Sequence, residues 1–487
     1  MTAVSPAHIL RLPRELRDLI YDELVGTRSD GYVYDYETNR VTQLNGRPIL
    51  LAFRLTCRHI AVEMQDYAFR TRTITFRTIM PEASRELAGR FDELFYRQRM
   101  TESDAIDCLR KHISDEMHDE VLSYYPQFRP LLNHLLRNPD RREILHRRWG
   151  EASSMQTLFI RHLLRLLAAC SRRRATGPVR MDGPFFTVLL DIDGLIALDY
   201  PPWTIASDDI LSHIGRVLGT SGYPTCHHQL YRFSAASAAI HFLSSLLIET
   251  RMQMRNIILD EDHPAVAHSQ CHAHGFVGFC LENPELRVER RVNLWRNVFQ
   301  AGHWDDWRPL YADSRLGTEA TRYSPTATHV KDCVASWIVE ARALPSLGMP
   351  AGAFTLVFNG DCIPQQSFEA FRAVRHYAIQ QFLMEQNHED LHQVDVPLYA
   401  ERQDSPEYTF EGFPDAVDDM CRGEGFIKCN FSISDSWVAI SGEESIEPKT
   451  RLTSMLEANP LPQTIETSRP LPPWRVLVRE NATVFLM

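Results

Sequence analysis

Two short apolar stripes near the N-terminus constrain the fold of this chain more than any other feature. The first stripe follows Pro13, which suits the first turn of a helix because its missing N–H needs no partner there. Aliphatic residues then recur at helical spacing, at Leu16, Leu19, Ile20 and Leu24. This spacing places them on one face. The sequence therefore predicts an amphipathic helix that stops near Gly26.

The second stripe lies within residues 49–67, for which we predict another helix. Its apolar residues are spaced by four and three positions, at Phe53, Cys57, Ile60, Met64 and Tyr67. Between the stripes, residues 31–48 combine strand-forming tyrosines with the turn dipeptide Asn45-Gly46, which indicates a loop or hairpin. Helices this short are marginal alone, so we expect the two apolar faces to pack together. The predicted contacts join Leu16, Ile20 and Leu24 to Phe53, Cys57 and Ile60.

Residues 12–16 (LPREL) and 55–60 (LTCRHI) together resemble the F-box-like module at the N-terminus of many filamentous-fungal proteins. The resemblance covers residues 1–78, with an insertion where a standard F-box has its middle helix. It implies a docking surface for a Skp-type adaptor of a cullin ubiquitin ligase, with a protein substrate of unknown identity bound elsewhere on the chain. The adaptor-binding residues that it implies are Leu12, Pro13, Leu16, Ile20, Leu24, Leu55, Cys57 and Ile60. The alternative is a helical cap whose apolar faces are buried within the protein itself.

The composition is that of a globular protein with more than one domain. Apolar residues make up 44% of the 487 residues and charged residues 24%, so a sizeable core is expected. The sequence has no signal-peptide pattern and no apolar run of membrane-spanning length. Ten scattered cysteines form no Cys-x-x-Cys pair, which favours reduced thiols. We therefore expect a cytoplasmic or nuclear protein without a membrane partner.

Charge is distributed unevenly along the chain. Residues 1–180 contain 29 Lys and Arg against 23 Asp and Glu, whereas the remainder contains 23 against 40. An acidic C-terminal region argues against nucleic-acid binding there, because phosphate contacts dominate such affinity. The basic run at residues 172–174 lacks interleaved aromatic residues that would stack on bases. We expect no nucleic-acid partner.

Beyond residue 78, the sequence predicts a helical connector over residues 79–180 and a mixed α/β body over residues 181–487. Strand and helix patterns alternate in that body, which together with the helical N-terminal part gives an α+β fold. No clean repeat period is present, but the alternation is also compatible with an irregular, leucine-rich-like sheet. We also expect strands near the C-terminal end, at residues 426–440 and 474–486.

One segment of the body has a clear strand pattern. Apolar residues at 286, 288, 292 and 294 alternate with polar residues, which predicts a half-buried strand. Residues 255–259, 266–268 and 282–295 also resemble fungal proteins that share this N-terminal start, which implies a common architecture and no activity. Arg290 falls on the apolar side of this strand, and a buried arginine must be paired. The acidic run at residues 260–262 offers partners for a structural ion pair, and a ligand-facing guanidinium is the alternative.

A second motif has the pattern of a phosphatase nucleophile. Asp191-Ile192-Asp193-Gly194 follows a predicted buried strand, as in the haloacid dehalogenase superfamily, where the first Asp attacks phosphate and the second acts as acid and base. Leu195 stands where that family has Thr or Val. Residues 359–361 (NGD) are the candidate for the later acidic motif of that superfamily. A turn after a strand is the simpler interpretation, and a phosphatase is a distant alternative.

Histidines and cysteines cluster at residues 263–274. The cluster consists of His263, His268, Cys271, His272 and His274, and residues 226–228 add Cys-His-His upstream. Zinc requires about four converging N or S ligands. On one helix, only Cys271 with His274, or His268 with Cys271 or His272, would share a face. Core cysteines and helix-end histidines are the preferred interpretation, so we predict no metal site.

Motifs of well-known enzyme classes are missing from the sequence. We find no nucleotide-binding glycine loop, no Gly-x-Ser-x-Gly elbow and no His-Glu-x-x-His helix. We therefore expect a non-enzymatic protein with no catalytic residue and no cofactor. Its expected role is an F-box-like substrate receptor, and the alternative is an interaction or scaffold protein whose partner is unknown.

Overall fold

The fold is taken from a computed structural model of the chain. The structure describes residues 9–25, 31–49, 52–137, 152–173, 179–182, 187–220, 230–300, 324–386, 410–433 and 464–481.

Strands in the described residues form one large sheet and one separate hairpin. In chain order they are β1 (Tyr32–Asp35), β2 (Arg40–Gln43), β3 (Thr73–Arg77), β4 (Val179–Asp182), β5 (Thr187–Leu190), β6 (Asn256–Glu261), β7 (Arg287–Asn293), β8 (Phe354–Asn359) and β9 (Ile427–Cys429). The large sheet has the order β2-β1-β3-β6-β7-β8-β9, and β4 pairs with β5 apart from it. Only β2 runs antiparallel to its neighbour in the large sheet; the other pairs are parallel.

Parallel strands of this sheet follow one another in chain order, an order that leucine-rich-like solenoids also have. When every crossover has the same hand, this order brings the intervening helices to one face of the sheet. Phe242, on a helix before β6, packs against Tyr34 of β1 and Phe76 of β3, with ring centroids 4.9 and 5.6 Å apart. Phe371, on a helix after β8, packs against Phe358 at 5.7 Å.

Helices make up most of the described residues between the strands. In chain order they are α1 (Arg14–Leu24), α2 (Arg58–Glu63), α3 (Tyr67–Thr71), α4 (Glu82–Leu109), α5 (Asp115–Tyr124), α6 (Arg129–Arg137), α7 (Ser153–Arg173), α8 (Ile192–Ala197), α9 (Asp208–Val217), α10 (Ala235–Ser245), α11 (Ile248–Arg251), α12 (Val277–Glu282), α13 (Ala327–Ala343), α14 (Pro364–Gln386), α15 (Phe413–Arg422) and α16 (Trp474–Arg479). A 3₁₀ helix, Ser269–Phe276, precedes α12. The α+β class predicted from the sequence is confirmed.

The two faces of the large sheet differ in burial. Side chains alternate along each strand, and every second one enters the main core, as Ile74, Leu259 and Leu356 do. The residues between them are half-buried or exposed, such as Thr75 and Arg291. Parallel sheets are usually covered on both faces. Within the described residues, the outward face of this sheet is left partly exposed, as in solenoids.

A small second core lies at the N-terminus. It consists of Tyr21, Val25, Ile60, Met64 and Tyr67, with Phe53 and Cys57 packed at its margin. The prediction that Leu16, Ile20 and Leu24 form the packed face of α1 was wrong, because Tyr21 and Val25 occupy that face. Tyr21 meets the Tyr67 ring edge-on at 5.7 Å. A tyrosine pair thus replaces the aliphatic contacts that we expected.

The second predicted helix is broken into three pieces. Residues 49–67 form a 3₁₀ helix at Ala52–Leu55, then α2 and the beginning of α3. Cys57 is extended, with φ −157°, and Asp66 is left-handed, with φ 54°. These two backbone conformations interrupt the helix although its apolar spacing continues through them.

The large sheet crosses the domain boundary that we predicted at residue 78. β1 and β3 come from the predicted 1–78 module, and β3 pairs along its whole length with β6 of the predicted 181–487 body. The helices predicted for residues 79–180 share the main core as well, through Phe91 of α4 and Leu163 of α7. The loop or hairpin expected at residues 31–48 is the hairpin of β1 and β2, which forms the edge of the sheet. Its turn lies at residues 36–39, and Asn45-Gly46 makes a second turn after β2.

The C-terminal end departs from the predicted strands. Residues 474–479 form helix α16 and not a strand, because Trp474, Leu477 and Val478 at helical spacing bury one face. Pro473 immediately before the helix suits such a start. Of the predicted strand at 426–440, β9 is present, and residues 434–440 lie outside the described part. None of the helices in the described ranges is long and apolar enough to cross a membrane.

Candidate functional site

Four exposed aliphatic side chains form what we call the apolar ridge of the N-terminal segment. They are Leu16, Leu19, Leu55 and Val62, which are 46%, 64%, 84% and 65% exposed. Leu16 and Leu19 lie on α1, Leu55 ends the 3₁₀ helix, and Val62 lies on α2. All four project from elements held by the small core. The helical-cap alternative would require these side chains to be covered, whereas the described chain leaves them open.

The predicted adaptor-binding residues occupy three environments. Leu16, Leu55 and Pro13 are exposed, whereas Leu12, Ile20, Leu24 and Cys57 are half-buried. Ile60 is buried in the small core, so it packs the module and presents no surface to a partner. Leu19 and Val62 also lie on the ridge, although they were not among the predicted adaptor-binding residues.

Glu63 at the end of α2 joins this helix to α1. Arg17 donates to its carboxylate from Nε at 3.0 Å and also from Nη2, Tyr21 Oη donates at 2.6 Å, and Arg14 Nη1 lies 3.0 Å away. The hydrogen bond from Arg17 is the largest influence and lowers the pKa of Glu63 to about 2. Burial, with Glu63 beside it, raises the pKa of Tyr21 to about 12. A charged network therefore fixes α1 against α2.

Two further contacts join the small core to the large sheet. Tyr32 Oη, on β1, donates to the carbonyl of Val25 at 2.7 Å. Arg72, just before β3, donates through Nη2 to the carbonyl of Asp22 at 2.7 Å, and its guanidinium also lies 3.3 Å from the Asp22 carboxylate. The ridge is thereby held in a fixed position relative to the edge of the sheet.

A second surface feature is what we call the open sheet face. It consists of the outward-facing residues of β3, β6, β7, β8 and β9. Its charged members are Arg77, Asp260, Arg287, Glu289, Arg291 and Lys428. Register places Arg77 beside Asp260 and Asp260 beside Arg291, so charges alternate across three strands. Arg77 Nε is 3.9 Å from Asp260. Burial and then Asp262 raise the pKa of Asp260, against the opposing influence of both arginines.

The strand pattern predicted at residues 286–294 is confirmed by β7. Val288 and Val292 enter the core, while Arg287, Glu289 and Arg291 face outward. Asn293 differs from the simple alternation because it is buried. Its side-chain oxygen accepts hydrogen bonds from the N–H groups of Trp295 and Arg296 at 3.1 and 2.8 Å. It therefore caps the helical turn that follows.

Arg290 is buried and paired, as the sequence predicted. Its guanidinium contacts Glu261 at 3.1 Å from Nε and 2.7 Å from Nη2, and it donates to the carbonyl of Ser269 at 2.7 Å. Glu261 also accepts from the N–H groups of Ala235 and Ala236 at the beginning of α10, at 3.0 and 3.2 Å. This is a structural ion pair that joins β6, β7 and α10.

The histidines and the cysteine of the 263–274 cluster contact protein groups, each in its own environment. His263 lies 3.1 Å from Asp262, and His274 lies 3.2 Å from Glu340. His272 accepts from Ser234 at 2.7 Å while its Nε2 faces the carbonyl of Ala267, and burial lowers its pKa to about 3. Within the described residues, no group of three His, Cys, Asp or Glu side chains is arranged to hold a metal ion. Residues 226–228 lie outside the described part.

We predicted that Cys271 with His274, or His268 with Cys271 or His272, would share one face of a helix. His268, Cys271 and His274 do line one cavity together. Cys271 and His274 are three residues apart in the 3₁₀ helix, in which such positions are aligned, and His268 immediately precedes that helix. Burial raises the pKa of Cys271 well above its usual value. The thiol is therefore protonated at neutral pH and is a weak nucleophile.

Asp191 has a structural role in the described conformation. Its side chain accepts a hydrogen bond from the N–H of Gly194 at 2.9 Å and caps α8. The preceding strand, β5, pairs with β4 and not with the large sheet. Asn359 ends β8 of the large sheet, and Gly360 and Asp361 follow it. The two halves of the phosphatase-like pattern thus follow strands of different sheets.

Comparison of the chain with known protein families, with curated proteins and with solved structures finds no significant match.

Proposed function

We propose that this protein is an F-box-like substrate receptor that links a protein target to a Skp/cullin-type ubiquitin ligase. The N-terminal segment would bind the Skp-type adaptor, and the open sheet face would bind the target. Such a receptor performs no chemistry itself and works in the cytoplasm or the nucleus, where its ligase acts.

The observation that carries this proposal is the exposure of the apolar ridge. Leu16, Leu19, Leu55 and Val62 stand on helices that already have a core of their own, so these side chains are not needed to fold the segment. Burying one large aliphatic side chain contributes roughly 1.5–3 kcal/mol, and exposed apolar surface can serve as an interaction surface. A helical adaptor groove that covers the ridge would bury these side chains, and this burial would stabilise the complex.

The open sheet face supports the receptor half of the proposal. Extended sheet faces of solenoids are binding surfaces, and this one has its charges in alternating order at Arg77, Asp260 and Arg291. Complementary charge patterns select partners and raise association rates more than they raise affinity. We therefore expect the target to be a folded protein or an extended segment with its own alternating charges.

A second function, a scaffold that binds a protein without any adaptor, is favoured by one specific observation. Strands β1 and β3 of the N-terminal segment are integral to the large sheet. The segment is therefore built into the body and is not a detachable recruitment module. In this alternative, the ridge would dock a partner of another kind.

Binding of the full-length chain to a purified filamentous-fungal Skp-type adaptor tests the proposal. The wild-type chain should form a stoichiometric complex in co-purification and calorimetry. The double variant Leu16→Glu with Leu55→Glu should weaken the complex at least tenfold, because two charges would enter an apolar interface. Thermal unfolding should be unchanged, since both residues are exposed.

The double variant Leu247→Glu with Ile248→Glu is the matched control. These side chains are 74% and 49% exposed at the start of α11, so the same two charges are added away from the ridge. The control should bind the adaptor like the wild type. Failure of the wild-type chain to bind the adaptor would remove the ligase function and leave the scaffold alternative.

A further inference from the structure

A cavity of about 390 Å³ lies among the helices of the main body. It is lined by α4, α7, the segment at residues 199–203, the 3₁₀ helix before α12, α12 itself and the turn at Leu347. Small-molecule sites have volumes of roughly 300–1,000 Å³. None of the described lining residues belongs to the apolar ridge or to the open sheet face. The cavity is therefore large enough for one small ligand and is separate from both proposed binding surfaces.

The segment at residues 199–203 gives the cavity a rigid, ring-bearing part of its lining. Tyr200, Pro201, Pro202 and Trp203 are consecutive lining residues, and each proline fixes its own φ. Trp203 packs directly on the backbone of Gly275, because a Cβ at that position would lie only 2.8 Å from the indole Cε2 and Nε1 atoms. Aromatic side chains contact other rings face-to-face with an offset or edge-on. This part of the lining is therefore complementary to a flat ring.

The other apolar lining residues come from separate elements. They are Phe95 of α4, Met155 and Leu158 of α7, Val277 of α12 and Leu347. These elements are far apart in the sequence, so only the tertiary fold brings them together. An apolar ligand in the cavity would bury surface against all of them, and such burial favours binding.

Arg161 lines the cavity, but its guanidinium is engaged within the protein. Its Nε donates to Glu102 at 3.1 Å, its Nη1 donates to Asp199 at 2.8 Å, and its Nη2 donates to the carbonyl of Leu198 at 2.9 Å. All three nitrogens thus contact protein oxygens. Asp199, which also lines the cavity, is paired by the same contact.

Polar side chains of α7 and of the 3₁₀ helix are engaged in the same way. Ser154 donates to the buried Glu340 carboxylate from its N–H at 3.0 Å and from its Oγ at 2.6 Å. His274 Nε2 lies 3.2 Å from that carboxylate. Thr157 Oγ donates to the carbonyl of Ser153 at 2.8 Å. These polar atoms hold the elements around the cavity to one another.

Polar and aromatic groups are interleaved around His268. Its ring lies 6.0 Å from the Phe95 ring, between centroids, and its Nε2 contacts Arg99. Cys271 Sγ donates to the carbonyl of His268 at 3.1 Å. Ala267 and His268 both have positive φ, 57° and 54°, a conformation that is rare for non-glycine residues and clusters at ligand sites.

These contacts favour one class of ligand. An ionised molecule would lose its hydration in the cavity and would have to displace contacts that the polar lining groups make within the protein. An uncharged aromatic molecule would bury its apolar surface without that cost. We propose that the cavity binds an uncharged aromatic small molecule, with its ring among Phe95, Tyr200 and Trp203. Neither of the functions proposed above requires such a ligand.

Two fluorescent probes of the same ring system test the class of ligand. N-phenyl-1-naphthylamine is uncharged, and 1-anilinonaphthalene-8-sulfonate adds an anionic group to the same rings. Titration of the full-length chain should show saturable binding of the naphthylamine at one site, tighter than binding of the sulfonate. Binding of the naphthylamine that does not saturate would overturn the proposal, and so would equal or tighter binding of the sulfonate.

Hydrogen exchange locates the bound probe without any substitution. The naphthylamine should protect residues 153–161 and 268–277 of the wild-type chain, which contain lining residues from two sides of the sequence. It should leave α1 and α2 unchanged. Protection of α1 and α2 alone would place the probe on the apolar ridge and would contradict the proposal.

Filling the cavity tests the same assignment by substitution. Leu158 is 42% exposed on α7 and Leu347 is 39% exposed, so a larger side chain at either position can be accommodated without disturbing the core. Leu158→Trp should weaken the naphthylamine roughly tenfold. Leu347→Trp makes the same test from another element if Leu158→Trp does not fold.

Leu136→Trp is the matched control. Leu136 is also 42% exposed, but it lies on α6 and does not line the cavity, so this variant should bind the naphthylamine like the wild type. The ridge variant Leu16→Glu with Leu55→Glu should do the same. The proposal fails if folded Leu158→Trp and Leu347→Trp both bind the probe like the wild type, or if the ridge variant loses it.

Discussion

Arg290 and Glu261 form an ion pair inside the main core, with Arg290 Nη2 2.7 Å from Glu261 Oε1 and both side chains almost completely buried. The guanidinium also lies over the Trp337 ring, 4.6 Å from its centroid. Because Glu261 accepts from the first N–H groups of α10 as well, the pair connects two central strands to a helix. Its loss should therefore affect the whole molecule.

Replacing Arg290 by Met should reduce the free energy of unfolding by roughly 3–5 kcal/mol. The cost arises because Glu261 would remain buried without its charged partner. Urea denaturation of the full-length chain measures the change. The adjacent Arg291→Met is the control, since Arg291 faces outward with a side chain that is 45% exposed, and it should shift the free energy by about 0.5 kcal/mol or less. Equal losses in the two variants would contradict the structural role of the pair.

Tyr21 and Leu19 distinguish the packed face of α1 from its exposed face. Tyr21→Ala should expose residues 14–25 to amide exchange, because it removes a buried ring from the small core at a cost of roughly 3–5 kcal/mol. Leu19→Ala should change the exchange of the same residues little. The prediction fails if Leu19→Ala deprotects α1 as much as Tyr21→Ala does.

The packing of α1 against α2 should depend on pH through Glu63. Its folded pKa of about 2 lies below the usual value near 4.5, so ionised Glu63 stabilises the folded segment. This contribution is complete above about pH 4.5 and is lost as the pH falls toward 2. Glu63→Gln removes it at all pH values.

Amide exchange of residues 14–25, corrected for intrinsic rates, measures this contribution. The wild type should be better protected than Glu63→Gln at pH 6, by roughly 1–3 kcal/mol, and the two should converge near pH 2. A constant difference between them over this range would show that the charge of Glu63 is not what holds the helices.

Two glycines near the cavity should respond to alanine in opposite directions. Gly275→Ala would place a Cβ against Ile240 and Trp203, and such overpacking costs roughly 1–3 kcal/mol. Gly278, in α12, has open space at its Cβ position. Gly278→Ala should therefore stabilise the chain by up to about 0.5 kcal/mol through helix propensity. Thermal unfolding of both variants measures the difference, and a tolerated Gly275→Ala would mean that Trp203 is not seated against the backbone.

Local patterns in the sequence predicted several elements well. The alternation from 286 to 294 predicted β7 and which of its residues face inward or outward. The position of Arg290 on the apolar side predicted its pairing with an acidic residue, which is Glu261. These features depend on short-range periodicity and on the cost of burying an unpaired charge.

Other features depend on information that local patterns do not contain. Tyr21 was not recognised as the packed residue of α1, because tyrosine is amphipathic and an aliphatic stripe stood beside it. The interruptions at Cys57 and Asp66 follow from backbone conformations, which apolar spacing does not reveal. The pairing of β3 with β6 joins residues about 180 positions apart in the chain, so the open sheet face and the cavity emerge only from the tertiary structure.

Hydrogen exchange of the full-length chain, with and without a Skp-type adaptor, tests the central claim most directly. The account predicts that the adaptor protects α1 and the 3₁₀ helix Ala52–Leu55, which carry Leu16, Leu19 and Leu55, and leaves β6 to β8 unchanged. No protection anywhere, or protection confined to segments away from these helices, would contradict it.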